Sequence, residues 1–302
     1  MANVALVPAL AKILLAIAWS DGELHPEEEI TLKEVVGLLP TLSAQEWALI
    51  ELYLVTPIGA QERTELLQNV LVQIRSAADK ALALEAIDAM LQADGLVTPE
   101  EESVAQTVRA AIAAADVSPL GRVGRALGSV TRAAPQRERG LELWRTNPVL
   151  YLVQMRAPDL IPGGARSQVE VAALAGGIMA QVARLSGPSS AGAAVERPII
   201  LRALQDDWQA APALAETLAD AALDITRRNV DYHRISRELT PRSSEAQRTA
   251  LLDTLFAIAN AADQVAPGEI DEIRVIAERL NLTRQQFIAA KLKIPAADRG
   301  GL

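Results

Sequence analysis

The 302-residue chain reads as an all-α protein of two helical bundles, each of about six to seven helices, joined by a connector rich in Pro, Gly and Arg. Three observations carry this reading. Ala and Leu dominate, aromatic residues are only 3% of the chain, and few segments alternate apolar and polar residues as a half-buried strand would. One phrase, in which a helix runs into an Asp-Gly turn, a proline and an acidic helix, occurs twice in the first part of the chain. It stands as Trp19-Ser20-Asp21-Gly22-Glu23-Leu24-His25-Pro26-Glu27-Glu28-Glu29 and again as Gln92-Ala93-Asp94-Gly95-Leu96-Val97-Thr98-Pro99-Glu100-Glu101-Glu102. Finally, the texture changes between Ser118 and Ser167, where turn-forming residues and arginines replace the helical pattern.

The first helix is expected over about residues 8–20, ended by Gly22, which can take the left-handed conformation that stops a helix. Pro26 opens the next helix in its first turn, where a missing N–H leaves no gap, and this helix closes near Pro40. Glu27, Glu28 and Glu29 sit where the helix dipole favours negative charge. Apolar periodicity then predicts helices over about 43–55, 61–77, 79–93 and 99–114, the last with Thr98 as N-cap and Glu101 completing a capping box. Trp47 and Tyr53 share a helical stripe with Leu49, Ile50 and Leu54 and are expected in the core.

The connector carries Gly121, Gly124, Gly128, Pro135, Pro148 and Pro158 together with Arg122, Arg125, Arg132, Arg137, Arg139 and Arg145. One more helix is expected near 119–130, and the run Val149-Leu-Tyr-Leu-Val-Gln-Met155 fits a helix or an extended segment equally by periodicity. Its arginines suit the protein's own acidic domains or a protein partner, since Trp144 and Tyr151 are the only nearby aromatics for stacking on bases. Helical patterning resumes at Gln168 and runs to about Leu292. The phrase returns there in altered form as Ala261-Ala262-Asp263-Gln264-Val265-Ala266-Pro267-Gly268-Glu269, and an apolar helix, Val169 to Leu185, runs into Ser186-Gly187-Pro188. The second half therefore reads as a degenerate copy of the first. The expected organisation is a helical domain over 1–117, a connector over 118–166, a second domain over 167–294 and a tail over 295–302.

A formal charge of -9 argues against general nucleic-acid binding, for which a basic surface supplies most of the affinity. The absence of cysteine excludes disulfides, thiolate nucleophiles and cysteine–zinc sites, and two distant histidines do not make a histidine metal centre. No phosphate-binding loop, dinucleotide fingerprint or nucleophile elbow is present, so no small-molecule substrate is implied. The apolar N-terminus lacks a basic start and carries Lys12 within its run, which reads as a buried first helix and not a signal peptide. No stretch reaches the roughly 18 uninterrupted apolar residues of a membrane span. A cytoplasmic protein is expected, with peripheral attachment at the inner face of the membrane as its closest approach to lipid.

The dense carboxylate clusters fall in the two joints: Asp21, Glu23, Glu28 and Glu29 in the first, and Asp94, Glu100, Glu101 and Glu102 in the second. Calcium and similar hard divalent cations take roughly six to eight oxygen ligands, which a helix–turn–helix joint can gather. The spacing is not that of an EF-hand, because Gly follows Asp directly. The same residues also serve as helix caps and dipole partners, and capping alone would account for them. His25 occupies the N-cap-like place that Thr98 holds in the second copy and reads as a solvated turn residue. His233 is expected on a partly exposed helix face.

The apolar helix, Ala/Ser-Asp-Gly, hydrophobic turn and Pro-Glu-Glu-Glu pattern, met twice, resembles the tellurite-resistance TerB family, a fold that also forms the N-terminal domain of the DjlA type of membrane-anchored co-chaperone. The resemblance rests on Ser20-Asp21-Gly22 with Glu28, on Ala93-Asp94-Gly95 with Glu101, and on the helix from Ile273 to Thr283. It covers 1–117 well and about 167–294 more weakly. It implies a compact helical bundle, no enzymatic activity, a role in stress response near membrane-associated complexes, and acidic patches that bind metal ions. No His-Pro-Asp is present, so co-chaperone activity does not carry over. The expected function is non-catalytic: divalent-cation binding or sensing at the acidic joints within a protein complex, the alternative being an interaction scaffold without an ion.

Overall fold

The computed structural model describes residues 5–22, 24, 29–30, 32–33, 42–93, 98–117, 136–161, 163–185, 190–226, 228, 230–261 and 264–299. The described residues are helical, with no strand among them. They divide into two compact units, Met1–Leu141 and Glu142–Leu302.

In the first unit α1 (Leu6–Ala18) is the axis. It is apolar on every side but that of Lys12, and a helix of that kind needs neighbours nearly all round. Leu6, Leu10, Ile13, Leu14 and Ile17 are fully buried. Around α1 pack α2 (Ala44–Leu54), α3 (Ala60–Gln73), α4 (Ala77–Ala93) and α5 (Pro99–Ala113). Each start has a local cause. Ser43 caps α2 through a reciprocal box with Glu46. Thr98 caps α5 with Glu101, as expected, and Pro99 fills the first turn. The helix expected over 61–77 stops at Gln73, because Ile74 turns extended and Ser76 and Asp79 cap a new one: Ser76 Oγ accepts from Asp79 N–H at 3.1 Å and Asp79 from Arg75 N–H at 3.0 Å. Tyr53 is fully buried and Trp47 packs on the same core.

The segment read as a connector divides between the units. The short α6 (Gln136–Arg139) packs on α2 in the first unit. In the second unit, which begins within α7 (Leu141–Thr146), the ambiguous run is the helix α8 (Pro148–Arg156), capped by Asn147 and buried from Pro148 to Val153. Trp144 and Tyr151 are buried and meet edge to face at 5.7 Å, so neither is presented for stacking on bases. The helix expected near 119–130 and the one expected after Pro26 lie wholly or largely outside the described residues.

The axis of the second unit is α9 (Arg166–Leu185), buried without a break from Ala172 to Ala183. It is surrounded by α10 (Ser190–Asp206), α11 (Pro212–Ile225), α12 (Tyr232–Leu239), α13 (Glu245–Ala259) and α14 (Pro267–Arg279). A Cβ on Gly177 would stand 3.1 Å from Ile235 Cδ1, so the bare backbone at this point lets α12 approach the axis. The last helix, α15 (Arg284–Lys291), lies on α13, with Phe287 and Phe256 rings 5.4 Å apart.

Part of one order of contacts recurs among the described helices of both units: in the first, α1 touches α2, α3, α4 and α5, and α4 touches α5; in the second, α9 touches α8, α10, α11, α12, α13 and α14, and α13 touches α14.

Candidate functional site: two acidic helix joints

The first joint begins where α1 tightens into a 3-10 turn, Trp19–Asp21, and Gly22 takes φ 97°, the left-handed stop that its sequence predicts. Gly22 N–H donates to Trp19 O at 3.2 Å, and Trp19 Nε1 donates to Tyr53 O at 2.8 Å, which fastens the end of α1 to the end of α2. Asp21 is exposed on this turn. Glu29 accepts from Lys33 Nζ at 2.6 Å along one helical turn. Glu23, His25 and Glu28 lie outside the described residues.

In the second joint Glu100 and Glu102 are exposed, and Glu102 accepts from Gln106 Nε2 at 3.2 Å. Glu101 differs. It is 2% exposed, and its Oε2 accepts from Thr98 N–H at 2.8 Å and from Thr98 Oγ–H at 3.1 Å. Its Oε1 is buried with no hydrogen-bond partner. A buried carboxylate oxygen without a partner is costly unless something positive reaches it. Asp94 lies outside the described residues.

The turn Trp19–Asp21 packs on α5, the helix that Glu100, Glu101 and Glu102 open. Ser20 Oγ, on that turn, is a second buried oxygen without a partner. Among the described residues no three His, Asp or Glu side chains converge as a group able to hold a metal ion. The donors present are carboxylate and hydroxyl oxygens, the chemistry of a hard cation.

In the second unit the corresponding places are altered. Glu269 repeats Glu101 at the third position of α14 and accepts Ala266 N–H at 2.8 Å, yet Ala266 offers no hydroxyl in return. Val265 N–H donates to Asp298 O and the Gln264 amide to Ala297 O, each at 2.9 Å, so the segment read as a tail lies on this joint. Ala262, Asp263 and the Ser186-Gly187-Pro188 turn fall outside the described residues.

Sequence reasoning missed the polar network around Tyr53. Arg137 is 2% exposed and donates to the carbonyls of Leu52, Thr56 and Pro57 and to both oxygens of Glu62. Glu138 accepts from Tyr53 Oη at 2.8 Å and from Lys12 Nζ at 2.5 Å. Lys12, the charge within the apolar first helix, thus has its partner in the Arg-rich segment.

Buried axial helices wrapped by shorter ones, with capped acidic joints between them, define an all-helical bundle. Residues 170–292 match the family model described as tellurite resistance protein TerB. The match falls on the half in which we read the weaker resemblance and does not include 1–117. An Asp-Gly-Pro-Glu joint is a general way to stop one helix and start another. No curated protein and no solved structure matches the chain.

Proposed function

We propose that the chain is a non-catalytic, tandem TerB protein of the tellurite-resistance type that serves in stress response. Its first unit binds or senses a divalent cation, calcium or a similar hard ion, through the two acidic joints, and its second half recruits protein partners. The observation that carries the ion reading is the unused oxygen of Glu101: Oε2 completes the cap while Oε1 is buried without a hydrogen-bond partner. Asp21 stands on the turn that packs against the same helix, and Glu23, Glu28, Glu29, Asp94, Glu100 and Glu102 supply the surrounding negative charge. The part of the helix-contact order that recurs supports a first unit of the same fold as the second. The proposed setting is the cytoplasm, at the periphery of a membrane-associated complex; no helix among the described residues is long and apolar enough to cross a membrane.

Calorimetric titration of metal-stripped protein with calcium, magnesium, manganese and zinc tests this, beside an Asp21→Asn, Asp94→Asn double variant. Saturable binding that the variant loses is the expected result. No heat with either protein, both folded, overturns the ion reading and leaves the runner-up, a scaffold without an ion. That second reading has its own support in an apolar groove on α14 and α15, where Ile288 and Leu292 are 43% and 56% exposed. Arg274, Arg284, Lys291 and Arg299 rim the groove against the single carboxylate of Glu278, so the partner it fits is an acidic amphipathic helix.

A further inference from the structure

The second unit holds a basic cleft that the ion reading does not use. A cleft of about 710 Å3 opens between the end of α12, the Thr240–Arg242 turn, the start of α13 and the end of α14. Arg234, Arg237, Arg248 and Arg279 line it in a chain whose net charge is -9. Arg234 pairs with Glu142. Among the described residues no carboxylate pairs with Arg237, Arg248 or Arg279. The one acid in the lining, Asp231, is engaged as the N-cap of α12, accepting Arg234 N–H at 3.0 Å.

Arg248 is held in place by two carbonyls, Thr240 O at 3.1 Å and Ser243 O at 2.6 Å, and its Nε–H is buried without an acceptor. Thr240 Oγ–H donates to Arg279 O at 3.2 Å, which ties the turn to the end of α14, and Asn281, at φ 54°, stops that helix beside the cleft. Arg237 and Arg279 each stand in the last turn of a helix, where a cation complements the helix dipole. That explains one arginine per helix end and leaves their convergence on one cleft, with Arg248, unexplained.

We infer that this cleft binds the phosphate group of a small molecule. Guanidinium groups match phosphate oxygens with two parallel N–H bonds, and they do so best where no carboxylate competes. The volume admits a diphosphate or a phosphorylated metabolite with room for its organic part.

The test is titration of the full chain with inorganic phosphate and inorganic pyrophosphate at fixed ionic strength. The Arg237→Gln, Arg279→Gln double variant is compared with Arg166→Gln, Arg202→Gln, which removes the same charge outside the cleft. Saturable pyrophosphate binding, weakened about tenfold or more by the cleft pair and little changed by the outer pair, is expected from losing two charge-assisted contacts. The single Arg279→Gln, at an exposed helix end, keeps the test sharp if the pair melts early: it should weaken binding at an unchanged melting temperature. No saturable binding to the wild type, or equal weakening by both pairs, overturns the proposal.

Discussion

Arg137 grips Glu62 with a two-point fork, Nε to Oε1 at 3.0 Å and Nη2 to Oε2 at 3.1 Å, across 75 residues of chain. The pair is embedded in backbone: the carbonyls of Leu52, Thr56 and Pro57 take the remaining guanidinium donors, and the guanidinium lies 5.1 Å from the Tyr53 ring centroid. This single side chain closes the end of α2 and anchors α6 to the first unit.

Arg137→Ala should therefore destabilise the first unit by about 3–5 kcal/mol, because it strands Glu62 and three carbonyls at once. Arg137→Lys keeps the charge but not the planar fork and should recover only part of the loss. Denaturant unfolding followed by circular dichroism gives the answer, and a change below about 1 kcal/mol for the alanine variant would contradict the assigned role.

Tyr53 should titrate far above an ordinary tyrosine. Burial raises its pKa first, and the charge and hydrogen bond of Glu138 raise it further. The unfolded chain gives up this proton near pH 10 while the folded protein keeps it, so the stability from Tyr53 is whole below that pH and falls as pH rises beyond it. Absorbance titration should leave one tyrosine un-ionised until the protein unfolds in base. Tyr53→Phe should remove that pH dependence and cost about 1–2 kcal/mol at neutral pH for the lost bond to Glu138.

Capping and ion binding use different oxygens of Glu101, and two variants separate them. Thr98→Ala removes the cap and should cost about 1 kcal/mol with or without metal. Glu101→Gln keeps an acceptor for Thr98 and removes the buried charge, so without metal its melting temperature should equal or exceed that of the wild type. With calcium the wild type should gain stability and the glutamine variant should not. An equal calcium shift in both would exclude Glu101 as a ligand.

The groove on α15 should take a synthetic helix of Leu and Glu in helical period. Fluorescence anisotropy of the labelled peptide should show saturable binding that Ile288→Asp, Leu292→Asp abolishes. Both side chains are exposed, so the variant should melt within about 2 °C of the wild type. Equal peptide binding by both proteins would remove the groove from consideration.

The sequence by itself determined the helical class and several helix ends. Gly22, Thr98 with Glu101, and Pro99 set these ends through steric and hydrogen-bonding rules that act within four residues. The apolar runs of the segments that became α1 and α9 marked them as buried helices, since such helices must be covered by neighbours. The run from Val149 to Met155 was ambiguous because helix and strand both bury a short apolar segment. Tertiary structure decided that Asn147 would cap it as α8 against α9 and α11. Only the folded chain could set Arg137 on Glu62, Glu138 between Lys12 and Tyr53, one oxygen of Glu101 in the interior, and three arginines without carboxylate partners among the described residues around one cleft. Caps and periodicity are local and leave their mark in neighbouring residues. These pairings join helices distant in sequence, so they depend on which faces the packed core turns together, and that is fixed by the whole bundle at once.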